Sequence, residues 1–541
     1  MPIAYFFIDG LTADVKCNLV SEAVNRLYTV NVRVVAVVCD GPATNFAVGA
    51  KLGAALSAED MRPFFVHPCC PDWKVYIVFD PAHMLKLMRN TLAEKGILTD
   101  DNGNQIRWQH VKDLHELQDK EGLKAANKLK RAHIEWYQQK MKVSLAAQSF
   151  SRSVANALEF VSKDLKLTKF TDVDATVRFI RIIDRLFDTL NSKSPLSTAF
   201  KSVLKATNEM HWRLFLLEAV DYLLHLKLGG IPLHQSPRKT TVLGFVATVK
   251  SVLGLFDDHV AAGSLKYLAT YRLSQDHIEL SFNVIRSRGR WNNNPTTGQF
   301  RAAYRQLLLK HDIKPSVTGN TVAQEDFVVL PAVDLAAGDT NKSLPSMCEA
   351  ALRGAVQDSD HAYAMTVDKL MLSEFSSNVV VYVAGFVSRK LCSRLKCVAC
   401  KLSLLSSSKV VANCKLIERK DAGGLVFPSH SVVVVCTTAE RCLRFLCGSV
   451  SDSLPRLRNL RLRLQIAVVE RTQHMKLFVN DEEKHTCNTD VFDGHAVSLT
   501  RAVLDEFINV RLYAIGKRFT DHVKGKNVRF NSKKQVLFSH Q

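Results

Sequence analysis

The chain alternates between two hydrophobic periods over its first hundred residues. "IAYFFID" (3–9) is a short apolar run that reads as a strand, and "ADVKCNLVSEAVNRLY" (13–28) spaces its apolar residues as a helix does. "VRVVAVVCDG" (32–41) is β-branched and apolar on both faces, the pattern of a strand buried in a parallel sheet. "TNFAVGAKLGAAL" (44–56) predicts a helix, "WKVYIVFD" (73–80) another buried strand, and "PAHMLKLMRNTLAEKG" (81–96) a helix. In that last element Asp80 is placed to cap, Pro81 to occupy the first helical position and Gly96 to stop the helix. The order is α/β, with functional residues expected at the C-terminal ends of the strands.

From about 105 to 265 the period becomes helical and strand signals are scarce. "SLKYLATYRLSQDHIELSFNVIRSR" predicts a further helix, and 316–346, rich in small and polar residues, predicts a linker. Beyond it lies a basic region that holds nine of the thirteen cysteines. No internal repeat is visible. No run of eighteen apolar residues occurs, so no membrane span is expected, and "MPIAYFFIDG" lacks the charged start and small-residue cleavage site of a signal peptide.

Charge sharpens the picture. The 541 residues carry a net charge of +20, which points to a polyanion partner, although lysines and arginines also simply solvate a large surface. An odd number of cysteines without a secretion signal predicts reduced thiols. In "LSQDHIELSFNVIRSRGRWNNNPTTGQFRAAYRQLLLK" (273–310), Asp276 and Glu279 share one helix face, and an acid-free run with Arg286, Arg288, Arg290, Arg301 and Arg305 follows. Asp40 ends a buried strand, where a carboxylate is poorly explained by packing. Its competing reading is a cap for the next turn or helix. A strand-end Asp and a helical acid pair, brought together, can hold Mg²⁺ or Mn²⁺ against a phosphodiester.

Five segments, "VVCDGPATN", "DPAHMLKLMRN", "QKMKVSLAAQSFS", "RLFDTLNSK" and "SQDHIELSFNVIRSRG…NNNP…QFRAAYRQLL", occur in the order found in the P-element transposase family, which includes a vertebrate THAP-domain relative. The chain resembles that family over about residues 2 to 312 and continues to do so through "VVYVAGFVSRKL" (380–391). The resemblance implies an α/β ribonuclease-H-like catalytic core interrupted by a mostly helical GTP-binding-type insertion, with a basic, Cys-containing region behind. The implied segments are 1–98 and 269–312 for the core, 99–268 for the insertion, 313–346 for the linker and 347–541 for the C-terminal region. It also implies metal-dependent DNA cleavage and strand transfer in the nucleus on double-stranded DNA, by a homo-oligomer that uses GTP for assembly.

Carried over by position, the second catalytic Asp falls on Asp40 and the catalytic Glu on Glu279, with Asp276 the neighbouring acid. The arginines of 286–305 would then hold the DNA backbone. Arg290 stands where the family tends to have a second glycine. The resemblance places phosphate contacts on Lys128, Lys142 and Val143, and guanine recognition on Asp184, Phe187 and Asp188; no GxxxxGK[ST] loop is present. Read without it, Phe187 is an apolar-face residue and Lys128 a solvated lysine.

Cys397 and Cys400, with Cys392 beside them and Cys487, His485 and His495 far downstream, offer a possible tetrahedral zinc set, against the plainer reading of small core cysteines. The basic stretches 456–464 and 511–534 could touch DNA or be solvated helix faces. Aligned without gaps back from Asp40, "PIAYFFIDGLTAD" falls on the family's third strand. The first catalytic Asp is therefore expected to be missing, Asp9 being the only nearby substitute, and strand 32–40 to have an open edge or to pair with 3–9. Two readings follow: a P-element-like transposase that is catalytically incomplete, or a domesticated or decayed DNA-binding derivative. A stand-alone GTP switch protein fits poorly.

Overall fold

A computed structural model of the chain describes residues 5–7, 10–288, 294–309, 371–406, 412–447, 459–478 and 495–526. They fall into two compact units, Met1–Lys112 with Lys128–Ala155 and Asp172–Val328, and Asp113–Asn127 with Asn156–Thr171 and Val329–Gln541.

In the first unit α1 (Ala13–Thr29) starts at Thr12, whose hydroxyl accepts from Val15 N. β1 (Ala36–Cys39) and α2 (Ala43–Lys51) follow, then β2 (Phe64–His67), β3 (Cys70–Phe79) and α3 (Pro81–Lys95). β3 is central: β1 runs parallel to it, Ala36 opposite Tyr76 and Cys39 opposite Phe79, and β2 pairs antiparallel on the other side. Val75 to Phe79 are buried, as a strand covered on both faces requires. β1 has a sheet partner on one side only among the described residues. Residues 5–7 are not a strand. Tyr5 and Phe7 make edge-on ring contacts with Phe300, and Tyr5 with Tyr304, at 4.8–5.6 Å. Three aromatics in a row thus favour packing on a helix over pairing in a sheet.

The chain then forms β4 (Ile97–Thr99), β5 (Gln105–Arg107), α4 (Gln109–Glu121), α5 (Val143–Ser149), α6 (Arg152–Glu159), α7 (Asp174–Leu190) and α8 (Glu209–His225). Two short strands, β6 (Lys227–Leu228) and β7 (Ile231–Pro232), join β4 and β5 in a four-stranded sheet of order β5-β4-β6-β7. Helices dominate the stretch, and this small sheet has no counterpart in the sequence pattern.

α9 (Lys239–Leu255) lies against β3. By length and composition Lys239–Ala261 is long and apolar enough to cross a membrane, yet most of it is buried inside this unit. Its hydroxyls explain why an apolar helix carries them. Thr248 Oγ1 accepts from Phe79 N at 3.0 Å and donates to Phe79 O at 2.8 Å, and Ser251 Oγ donates to Ile77 O at 2.6 Å. Gly244 and Gly254 permit the close approach: a Cβ there would lie 2.1 Å from Met84 Sδ and 2.4 Å from the Tyr76 ring. α10 (Asp276–Arg288) and α11 (Thr297–Leu309) complete the unit.

The second unit is built on α12 (Glu374–Arg394), α13 (Lys415–Lys420), α14 (His430–Cys447), α15 (Leu460–Thr472) and α16 (His495–Lys526). Val379, Val387, Val432, Val435, Val503 and Phe507 are among its buried core. Residues 113–127 belong here. Glu121 accepts from the hydroxyls of Ser373 and Ser376, and Arg518 donates to Asp119 O at 2.6 Å. At the centre Glu440, fully buried, accepts from Arg511 Nε at 2.7 Å and Nη2 at 2.9 Å, and from Arg444 Nε at 3.1 Å. The segment 313–346 lies outside the described residues.

Candidate functional site

The parallel pairing of β1 and β3 puts Asp40 and Asp80 at neighbouring strand ends, with Asp80 N donating to Cys39 O at 2.8 Å. Gly41 follows at once, and a Cβ there would lie 2.4 Å from Met84 Cε. The glycine therefore lets α3 come up against the strand end.

Asp40 is half-buried and held by its neighbours. Asn45, buried on α2, donates Nδ2 to Asp40 Oδ1 at 2.6 Å and to Asp40 O at 3.0 Å. The Asn45 carbonyl accepts from Lys16 Nζ on α1 at 2.6 Å. An ammonium can only donate, so Lys16 fixes which end of the amide faces Asp40. One carboxylate oxygen is thereby engaged in an oriented bond.

Asp80 was expected only as a cap. It does cap α3, accepting from Ala82 N at 3.1 Å. It is also buried, and burial pushes its carboxyl up to about 6; the Ala82 amide opposes this, Asp276 and Glu279 add to it, and Lys86 counters them. Asp80 is thus the strand-end carboxylate that feels the acid pair of α10, some two hundred residues away in sequence. Asp276 and Glu279, both half-buried, are raised chiefly by burial, with Lys193, His277 and Lys86 opposing at Asp276 and Lys86 and Arg286 opposing at Glu279. His83, on α3, is held down by burial and by Lys86, and Asp40 pushes it the other way. Lys86 is itself buried. It is the cation shared by Asp80, Asp276 and Glu279, and no sequence signal marked it apart from its place in "HMLKL".

These carboxylates are oxygen donors of the kind Mg²⁺ and Mn²⁺ take. As placed, no group of three or more His, Cys, Asp or Glu side chains among the described residues is arranged to hold a metal ion. The fit lies in donor chemistry and shared electrostatics, not in a formed coordination shell. Asp9 lies outside the described residues.

Of the arginines that follow, Arg286 lies over the Phe282 ring at 5.9 Å and exposed Arg301 over Phe7 at 5.4 Å. Arg305 is exposed on α11. Only the backbone of Arg288 is described, and Arg290 lies outside the described residues.

The nucleotide residues occupy the same unit. Lys128 and Lys142 are exposed, with Val143 opening α5. α5 leads into Phe150, whose ring meets Phe179 of α7 edge-on at 5.3 Å, and Arg152 N donates to Asp184 at 3.2 Å. Asp184 and Asp188 stand one turn apart on α7. Burial and then Asp188 push Asp184 up to about 6, and burial raises Asp188, against which Lys201 stands at 3.8 Å. Phe187, half-buried, lies between them in sequence. Two partly buried carboxylates one turn apart offer hydrogen-bond acceptors of the kind that the N–H edge of guanine takes.

Cys397 and Cys400 are buried at the start of a short helix, Val398–Ser403. Cys487 lies outside the described residues and only the backbone of His495 is described, so zinc gains no support.

The chain matches four family models. These are the TNP-like RNase H N-terminal domain over residues 1–53, the TNP-like GTP-binding insertion domain over 82–203, the TNP-like RNase H C-terminal domain over 271–305 and the DNA transposase THAP9 C-terminal domain over 371–517. Together they define a class: an RNase H-like domain divided by a GTP-binding-type insertion. The chain belongs to the P-element-type transposase family. It is 27% identical over 535 residues to human DNA transposase THAP9, covering 96% of this chain and 58% of that protein. It is 24% identical over 434 residues to the Drosophila melanogaster transposable element P transposase, covering 79% of this chain and 53% of that protein. The chain thus spans a little over half the length of these relatives. The solved Drosophila P element transposase strand transfer complex aligns with 55% of this chain and 64% of its own, at 25% identity and a TM-score of 0.48.

Proposed function

We propose that the chain is a P-element-like DNA transposase, acting on double-stranded DNA in the nucleus as a homo-oligomer with GTP as an assembly cofactor. The observation that carries this reading is the convergence of strand-end Asp80, beside Asp40, with Asp276 and Glu279 of α10. Asp40, Glu279 and Asp276 would hold Mg²⁺ or Mn²⁺, which when bound activates the attacking oxygen and stabilises the leaving one. The chain's own groups do the rest. Asn45 and Lys16 orient Asp40, Lys86 balances the acids of α10, and Arg286, Arg301 and Arg305 hold phosphates without reading sequence. Lys128, Lys142 and Val143 would meet the nucleotide's phosphates, and Asp184, Phe187 and Asp188 its base.

A second reading is a non-catalytic DNA-binding derivative. It is favoured by the lack, among the described residues, of a three-ligand metal group and by the lysine among the acids. One experiment separates them. The chain is incubated with supercoiled DNA and Mn²⁺, in parallel with Glu279→Gln and Asp40→Asn, and its DNA affinity is measured at several salt concentrations. Nicking lost in both variants supports the transposase. Salt-dependent binding with nicking that neither variant changes, or with none, supports the derivative, and absence of DNA binding sinks both.

A further inference from the structure

α3 carries a second charged side chain at depth. Arg89 is fully buried inside the stretch matched by the GTP-binding insertion domain. Its Nη2 donates to the carbonyls of Gln139 at 3.2 Å and Lys140 at 3.1 Å, and its Nε donates to Asn90 Oδ1 at 2.8 Å. Asn90 Nδ2 adds a bond to Lys140 O at 3.4 Å. Arg89 Nη1 is buried with no hydrogen-bond partner among the described residues.

No carboxylate stands within ion-pair distance of Arg89 among the described residues. The charged groups felt nearby are basic: Lys130 and Arg89 both help to hold down His133, after burial. Burial holds the guanidinium itself down, to about 10. A buried charge with an idle Nη1 and no counter-ion among the described residues carries a desolvation cost that a purely structural clamp would not need. A methionine or leucine would fill the same volume. The two gripped carbonyls lie just before Lys142 and Val143, and Lys128, Lys130, Arg131, Lys140 and Lys142 fall in the same short run, whose one acid, Glu135, is paired with Arg131 at 2.7 Å. This surplus of positive charge marks a place for a multiply charged anion.

We propose that Arg89 is a positioning residue for the triphosphate: it pins Gln139–Lys140 so that Lys142 and Val143 are presented, and its uncompensated charge favours ligands with more phosphates. The proposal rests on the GTP reading above. It differs from a clamp in a measurable way. A clamp that merely shapes the loop weakens every guanine ligand alike, whereas a charge weakens each in proportion to its phosphates.

The test is calorimetric titration of the whole chain in Mg²⁺ with GTP, GDP and guanosine, for the unsubstituted protein, Arg89→Met and Arg89→Lys. Arg89→Met should lose about ten- to a hundredfold in GTP affinity, less for GDP and little for guanosine, so that the three affinities draw together. Arg89→Lys keeps the charge but not the forked grip, and should hold the GTP preference at reduced affinity. It is also the more conservative variant should Arg89→Met fold poorly, which circular dichroism and melting would show. Equal weakening for all three ligands, or no change, overturns the proposal and leaves the GTP reading standing. No binding of GTP by the unsubstituted chain overturns both.

Discussion

Asp80 shows how one residue can satisfy a simple rule and still hold a second role. Its position before Pro81 made it legible as a cap, and it is one. What the sequence could not show is that α10 arrives beside it, because that depends on a chain path through the whole insertion. Asp40, Asp276 and Glu279 were legible as candidates from type and spacing. Lys86 and Asn45 were not, since a buried lysine and a helix-start asparagine look like many others. The Asp80 carboxyl has a pH consequence. Its folded value is about 6, above the roughly 3.9 of an unfolded chain. Between these values the folded state binds more protons, so stability falls as pH rises from about 4 to about 6, by about 2–3 kcal/mol from this group, and then levels off. Asp80→Asn keeps a cap acceptor and does not titrate. It should melt above the parent at pH 7 and converge with it toward pH 4. Asp184 adds a slope of the same sign in both proteins, so the difference between the curves is the reading. Parallel melting curves for parent and variant would show that Asp80 titrates normally.

At the scale of elements, the long periodic segments were readable and the short ones were not. The buried strand expected at 73–80 is β3 at Cys70–Phe79, and the helix expected at 81–96 is α3 at Pro81–Lys95, stopped by Gly96 at φ 79°. The helix expected over 44–56 ends at Lys51 instead, because Gly53 adopts φ 107° and Ala55–Leu56 turn back to pair with Met61–Arg62. Strands of two and three residues, such as β4 to β7, are too short to display a period. "IAYFFID" misled for another reason: aromatic residues favour strands and helix-packed clusters alike, and only the presence of Phe300 and Tyr304 decides. The contact of α9 with β3 is a property of elements that no single-residue scale predicts. Gly254→Ala adds a methyl 2.4 Å from Tyr76 Cε1 and 2.5 Å from Tyr76 Oη, and that hydroxyl donates to Asp258 at 2.7 Å. Overpacking costs about 1–3 kcal/mol and exceeds the roughly 1 kcal/mol that Ala gains over Gly in a helix. The variant should therefore melt lower than the parent by a few degrees in differential scanning fluorimetry. A higher melting temperature would mean that α9 does not approach β3 this closely.

Over the whole molecule, composition set the cysteine-bearing C-terminal region apart but could not show that Asp113–Asn127 folds with it. The ties are polar and come from residues some 250 to 400 positions apart, which leave no local pattern. They centre on Glu440 and Arg511. Glu440 is fully buried and Arg511 nearly so, and the forked guanidinium meets both carboxylate oxygens while Arg511 Nη1 donates to Gly122 O at 3.2 Å. A buried pair of this kind contributes little net stability against well-packed apolar residues, because desolvating both charges offsets their attraction. Removing one partner is different, for it strands the other charge in the core. Glu440→Leu should cost about 3–5 kcal/mol, leaving Arg511 and Arg444 without their shared acceptor. Glu440→Leu combined with Arg511→Met should cost much less than the sum of the single changes, since the Arg511 charge goes with its acceptor and Arg444 keeps Glu121 at 3.8 Å. Urea unfolding of the four proteins, followed by far-ultraviolet circular dichroism, measures the coupling directly. Additive losses would show that the two side chains do not meet in the core.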